Sequence, residues 1–144
     1  VVPIPADVSA KRLGLNVIAR SEDIYKLANF GLLTTPRKVK EKRDEIKRTI
    51  VAAIKGSRYI RANREASVQS LMELFKTDRE MAGANYEYLS KTLNGDGSPT
   101  EKGFRLLIED AKQTAKVTRV VSVSEVADFS ILREAQRELG ITVK

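Results

Sequence analysis

The sequence predicts an α/β protein that is predominantly helical, with short strands at the N-terminal end followed by about five helices. From Pro36 onward, apolar residues recur at steps of three and four, which is the period of an amphipathic helix. Before Pro36, short apolar runs lie between Gly and Pro residues, as is typical of strands. The 144 residues allow one compact domain with its own core.

The predicted strands lie within the first 35 residues. Residues 6–13 suit a short helix that Gly14 ends. Residues 15–19 have the composition of a half-buried strand, and residues 29–35 form a second extended stretch that stops at Pro36. The sequence therefore predicts two or three strands ahead of the helices.

A long helix is predicted to begin at Pro36 and to continue to a break at Asn63. Proline suits the first turn of a helix because its missing N–H has no partner to lose there, and Thr34 or Thr35 would cap this turn. The apolar stripe of this helix consists of Val39, Ile46, Ile50, Ala53, Ile54, Ser57 and Ile60.

Two further helices follow, and then a loop. Residues 64–75 carry a predicted inward face that includes Phe75. Residues 77–80 have capping-box spacing and predict the start of the next helix. The run of Asn, Gly and Pro at residues 94–99 predicts a loop, after which Thr100 would cap another helix.

The C-terminal part is predicted to contain one more helix. The β-branched residues 119–123 suit an extended stretch, and Ser122 or Ser124 would introduce the final helix, which Gly140 follows. Its inward face would consist of Val126, Phe129, Leu132, Ala135 and Leu139.

Composition excludes several classes of function. The chain has no Cys and no His, so a structural zinc site, a thiol nucleophile and histidine general-base catalysis are excluded. Adjacent carboxylates such as Glu109 and Asp110 point away from each other on a helix, and no Gly-rich phosphate loop is present. The sequence therefore predicts a protein without catalytic residues, metals or cofactors.

The net charge of +7 belongs to one segment. Residues 36–64 hold 11 Lys or Arg against 3 Asp or Glu, a balance of +8, and the rest of the chain sums to −1. One interpretation is a solvated helix face, and the other is a phosphate-binding stripe. The absence of Trp and of a nucleic-acid motif makes a nucleic-acid partner the less favoured alternative.

The order of the elements resembles the C-terminal half of a periplasmic solute-binding protein of ABC importers, in the branch for nitrate, sulfonates, taurine and thiamine precursors. Each matching stretch is a diffuse pattern, and the resemblance depends on their order and spacing. The matching stretches are residues 5–16, 31–35, 43–48, 58–61, 96–103 and 126–135.

The resemblance implies part of a two-lobed type II binding-protein fold. Residues 1–29 would end the second lobe, residues 30–36 would form the hinge-crossing strand, and residues 37–144 would complete the first lobe with helices. Because Val1 is not an initiator Met and no signal peptide precedes the apolar start, we expect the chain to be a fragment.

The same resemblance implies partners and a location. The complete protein would bind a small anionic or polar solute and present it to an ABC permease, in the periplasm or outside the cell at the membrane. The fragment would associate with its missing N-terminal lobe or with a second copy of itself. Solute binding by the fragment alone would be weak or absent.

Five residues near the predicted crossing strand are candidates for ligand binding. The hydroxyls of Thr34 and Thr35 lie at the predicted start of a helix, where oxyanions are often held, although ordinary capping explains them as well. Asn29 and Phe30 would line the cleft, and Tyr25 would form a wall. The functional alternative is a basic helical module that binds nucleic acid or another protein.

Overall fold

The computed structural model describes residues 6–19, 24 and 31–142. We number in chain order the helices whose bounds fall within these ranges. They are α1 (Ala6–Arg12), α2 (Pro36–Glu41), α3 (Arg43–Ala62), α4 (Arg64–Phe75), α5 (Arg79–Thr92), α6 (Glu101–Thr114), α7 (Val123–Val126) and α8 (Ser130–Glu138).

The predicted N-terminal strands are wrong. Neither residues 15–19 nor residues 31–35 form a strand, and the described part of the chain contains helices, turns and loops only. Both segments are exposed, and the described residues include no strand that could supply the backbone partners a strand requires. The fold class is therefore helical, and the predicted α/β, partial type II binding-protein fold is not observed in the described residues.

Helix α3 lies at the centre of the packing. It packs against α8 and also contacts α4 and α5, while α4 and α5 pack against each other. Helix α1 joins this group because the Arg12 guanidinium contacts Asp78 at 2.9 Å and Glu80 at 2.6 Å near the start of α5. The pair of α3 and α8 and the pair of α4 and α5 are thus joined through α3, which contacts both α4 and α5.

Each packed pair has its own apolar cluster. In the first, Val51 and Ile54 of α3 pack with Ala135 of α8. In the second, Val68 of α4 packs with Ala82 and Tyr86 of α5, joined by residues that are partly buried: Ile60, Leu71 and Met72. Ile54 and Ala135 lie on the apolar faces that the three- and four-residue period predicts. Val51, Ala82 and Tyr86 are buried although this period did not place them on those faces, and Ala53, which it did place there, is exposed.

The predicted long helix is two helices with a break at Lys42. The Lys42 backbone, at φ −131 and ψ 34, leaves the helical region, although its N–H still donates to the Lys38 carbonyl at 2.8 Å. The predicted start at Pro36 is confirmed, and so is the break near Asn63, which separates α3 from α4. Periodicity alone did not reveal the break at Lys42, because the apolar stripe continues across it.

The predicted C-terminal helix is also two helices. Helix α7 ends at Val126, and α8 begins only after Asp128, whose carboxylate accepts from the Ser130 N–H at 2.7 Å. Val126 is 54% exposed and does not belong to the core. Phe75 is likewise 59% exposed, because it is the last residue of α4 and the chain turns away at the next position.

Candidate functional site

The junction before α2 contains both predicted threonines. The Thr35 side chain accepts from the Lys38 N–H at 3.2 Å, so its hydroxyl serves as the N-cap of α2. Thr34 is exposed and lies outside the helix. Tyr25, Asn29 and Phe30 lie outside the described residues. Helix α2 has six residues, and the Thr35 hydroxyl caps its first turn.

Basic side chains in the N-terminal half of α3 form ion pairs with α8. An Arg43 guanidinium nitrogen lies 2.6 Å from the Glu134 carboxylate and donates to Ser130 Oγ at 3.2 Å. One turn further along, Lys47 Nζ lies 3.1 Å from a Glu138 carboxylate oxygen. The Lys47 amine donates a hydrogen bond to Glu138. This bond raises the pKa of Lys47, because the Glu138 carboxylate favours the charged form of the amine.

Arginine side chains in the C-terminal half of α3 donate hydrogen bonds to backbone carbonyls that follow α5. Arg58 Nε donates to the Gly95 carbonyl at 2.8 Å, and an Arg61 nitrogen donates to the Leu93 carbonyl at 3.5 Å. These two guanidinium groups hold the beginning of the loop after α5. Four cations of α3 are therefore engaged with other parts of the protein.

Tertiary pairing reduces the charge that residues 36–64 present to a partner. Glu134 and Glu138 lie outside this segment, so a local count of charges omits them. The pair between Lys38 and Glu45 at 3.4 Å lies inside the segment and is already included in its balance of +8. Pairing with Glu134 and Glu138 therefore neutralises part of the positive excess of residues 36–64.

The surface of the described residues includes two open concavities. One, of about 520 Å³, lies on α6 and is lined by Glu101, Lys102, Arg105, Leu106 and Glu109. The other, of about 510 Å³, lies at the α2–α3 junction and is lined by Lys40, Glu41, Lys42, Arg43, Asp44, Glu45 and Arg48. Both are open to solvent, and both are lined by side chains of mixed charge. Neither concavity has the apolar enclosure that is typical of small-molecule sites.

Side chains from both α3 and α8 anchor the loop of residues 94–99. Besides the contact of its Gly95 carbonyl with Arg58, it receives the Gln136 side chain of α8. The Gln136 amide nitrogen donates to the Asp96 carbonyl at 2.8 Å and to Ser98 Oγ at 2.9 Å. Gly97, at φ +77, packs directly over Ile54 of α3.

The sequence predicted this loop but not the side chains that anchor it. Gln136 is 1% exposed and lies four residues after Leu132, on the inward side of the last helix. A polar residue at an inward position was the available signal, since a buried amide has to find partners. No comparable signal marked Arg58 or Arg61, because exposed arginines on a helix are common.

A metal site is not found within the described ranges, where no group of three or more acidic side chains is placed to hold an ion. No helix in the part of the chain that the structure describes is long and apolar enough to span a membrane. No family model, curated protein or solved structure matches the chain.

Proposed function

We propose that the chain is a non-catalytic part of the substrate-binding component of an ABC-type importer for a small anionic or polar solute. The observation that carries the proposal is the exposure of aliphatic side chains in the two non-helical segments before α2. Ile18 is 99% exposed and Leu33 is 100% exposed, with Leu15 and Leu32 also largely exposed. Several exposed aliphatic side chains in short segments indicate a surface that another polypeptide covers.

In this proposal, further polypeptide of the same binding protein covers residues 15–19 and 31–35. The solute then binds between that polypeptide and the junction at Thr34, whose hydroxyl is exposed. The open, charged concavities on α2, α3 and α6 are consistent with the chain having no complete solute site of its own. The function implies a location outside the cytoplasmic membrane and an ABC permease as partner.

The test begins with the coding sequence upstream of Val1, where the proposal expects about 150 residues that form one further lobe. The chain alone and the longer polypeptide are titrated with nitrate, methanesulfonate, taurine and an aminopyrimidine, and the heat of binding is measured. We expect saturable binding of one solute to the longer polypeptide and none to the chain alone. No binding to the longer polypeptide, or the absence of an upstream lobe, would overturn the proposal.

A helical protein-interaction module is the second candidate, because the same exposed aliphatic residues suit a docking partner. The two candidates differ in the expected response to solutes. A module of this kind binds a partner protein through residues 15–19 and 31–35. Neither the chain alone nor the longer polypeptide then shows a heat of binding with any of the four solutes. Leu33→Ser would then weaken the complex with the partner protein. No change in solute binding would accompany this loss, because such a module binds none of the solutes.

A further inference from the structure

The start of the 94–99 loop combines three features that favour a spontaneous reaction of an asparagine side chain. Asn94 is exposed and is followed by Gly95, so no Cβ restricts the backbone at the following residue. Among the residues that the structure describes, the Gly95 amide hydrogen has no hydrogen-bond partner. This nitrogen is one bond from Asn94 and is the nucleophile that closes a five-membered imide on the Asn94 side chain.

Two guanidinium groups lie close to Gly95. Arg58 donates to the Gly95 carbonyl at 2.8 Å, and a Cβ built on Gly95 would lie 3.8 Å from an Arg61 nitrogen. Nearby positive charge favours the deprotonated form of an acid, and the attacking amide must lose its proton. The field of Arg58 and Arg61 therefore favours the attack.

The leaving group also has a partner. The Asn94 side-chain nitrogen donates to the Ser98 carbonyl. This carbonyl can continue to accept a hydrogen bond as the nitrogen takes up a proton and leaves as ammonia. Within the described residues, the loop thus holds the leaving nitrogen by a hydrogen bond while the Gly95 N–H makes none.

We propose that Asn94 is a self-modification site, at which the folded protein converts the Asn94–Gly95 linkage to aspartate or isoaspartate. The Gly95 nitrogen loses its proton and bonds to the Asn94 side-chain carbon, and the bond from that carbon to the amide nitrogen breaks with release of ammonia. Water then opens the imide at either carbonyl. One water is consumed, one ammonia is released, and no electrons are transferred to an external acceptor.

The neighbouring Asp96–Gly97 pair could form the same kind of imide, because a glycine also follows this acidic residue. Its structural environment is different. The Gly97 N–H donates to the Asn94 carbonyl at 3.2 Å, and the Asp96 carboxylate accepts from the Ser98 N–H at 2.9 Å. A Cβ on Gly97 would lie 3.0 Å from the Ile54 side chain, so the backbone is closely packed there. The structure therefore assigns the reaction to Asn94 and protects Asp96.

The product changes how the loop is held. A carboxylate at position 94 has no donor for the Ser98 carbonyl, and isoaspartate adds one carbon to the backbone path. Both changes occur next to the contacts through which Gln136 and Arg58 hold the loop against α8 and α3. The modification therefore loosens the loop at its first residue.

The experiment compares the folded chain with a synthetic peptide of residues 92–100, incubated together at mildly alkaline pH and low salt. Conversion is measured by peptide mass spectrometry, and isoaspartate by enzymatic methylation. We expect Asn94 to convert in the folded chain at least as fast as in the peptide, while Asn63, Asn85 and Asp96 of the folded chain remain unchanged. Slower conversion in the folded chain than in the peptide would overturn the proposal.

Two substitutions separate the chemistry from the surrounding charge. Gly95→Ala should slow conversion about fivefold in both the chain and the peptide, because the new Cβ restricts the approach of the nitrogen. Arg61→Gln should slow it in the folded chain only, and Arg61→Lys should restore it. Circular dichroism checks that each variant is folded, and an unchanged rate in folded Arg61→Gln would contradict the role of the cation.

Discussion

The side-chain amide of Gln136 donates to the Asp96 carbonyl oxygen at 2.8 Å and so connects the last helix to the 94–99 loop. Gln136 is 1% exposed, and its second hydrogen bond goes to Ser98 Oγ. One buried amide thereby satisfies two groups of a loop that Arg58 holds from the other side. This loop links α3 to α8 beside their apolar contact, because Gly97 packs against Ile54 of α3 and Leu132 of α8.

Gln136→Leu should destabilise the protein by about 1–3 kcal/mol, because the Asp96 carbonyl loses its donor while it remains partly buried. Urea unfolding followed by circular dichroism measures the change in the free energy of unfolding. Arg137→Gln, at the exposed neighbouring position, is the matched control and should change stability by about 0.5 kcal/mol or less. Equal effects of the two substitutions would contradict the role of Gln136.

Gly97→Ala and Gly56→Ala should change stability in opposite directions. Gly97 has φ +77, and a Cβ there would lie 3.0 Å from Ile54 Cγ1, so alanine should cost about 1–2 kcal/mol or more. Gly56 lies inside α3 with no atom within 4 Å of an added Cβ, so alanine should stabilise by about 0.5–1 kcal/mol. Thermal unfolding of the two variants, beside the parent chain, tests both signs.

Ile54→Ala should destabilise the protein by about 2–5 kcal/mol, since its side chain is 1% exposed at the contact of α3 with α8. The control is Ile18→Ala, where the side chain is 99% exposed and truncation removes no packing within the chain. Chemical denaturation of both variants gives the comparison. A loss at Ile18 as large as that at Ile54 would show that residues 15–19 are covered in solution.

Thr35→Ala and Thr34→Ala distinguish capping from solute contact at the predicted ligand site. Thr35→Ala should lower the free energy of unfolding by about 0.5–2 kcal/mol, because the Lys38 N–H loses its acceptor. Thr34→Ala should leave stability unchanged in the chain alone. In the longer polypeptide of the proposed function, Thr34→Ala should weaken solute binding, which calorimetry measures. Full affinity there would exclude Thr34 from the site.

Stability should fall at acidic pH partly through Glu125. Hydrogen bonds from the Ser122 backbone N–H, from Arg119 and from the Ser122 hydroxyl lower the pKa of Glu125 from its ordinary 4.5 to about 2. Because the folded-state pKa is the lower one, this contribution is complete above pH 4.5 and is lost as pH falls toward 2. Thermal unfolding across this range should show a smaller decrease for Glu125→Gln than for the parent chain.

The sequence predicted the helical elements where local chemistry determines them. Pro36 begins α2 behind the Thr35 cap, and Thr100 caps α6 by accepting from the Gly103 N–H at 3.2 Å. The cap of α5 lies one residue after the predicted position. Asp78 rather than Thr77 accepts the hydrogen bond from the first turn of this helix. Such signals depend on residues three or four positions apart, so a single sequence contains them.

The predicted strands show where local reasoning failed. Residues 15–19 and 31–35 have a composition that suits strands, but a strand needs partners from elsewhere to satisfy its backbone. The described chain supplies no such partner, and both segments are exposed. Composition could not reveal this, because strand formation depends on contacts that are distant in sequence.

By itself, the sequence determined the helical character from Pro36 onward, the loop at residues 94–99 and the absence of Cys and His chemistry. These features depend on composition and on short-range spacing. Only the tertiary structure decided which charges of residues 36–64 are neutralised and how the loop is held. Glu134 lies 91 positions from Arg43, and Gln136 lies 40 positions from Asp96. Only folding brings these side chains, and that of Glu138, within hydrogen-bonding distance of Arg43, the 94–99 loop and Lys47.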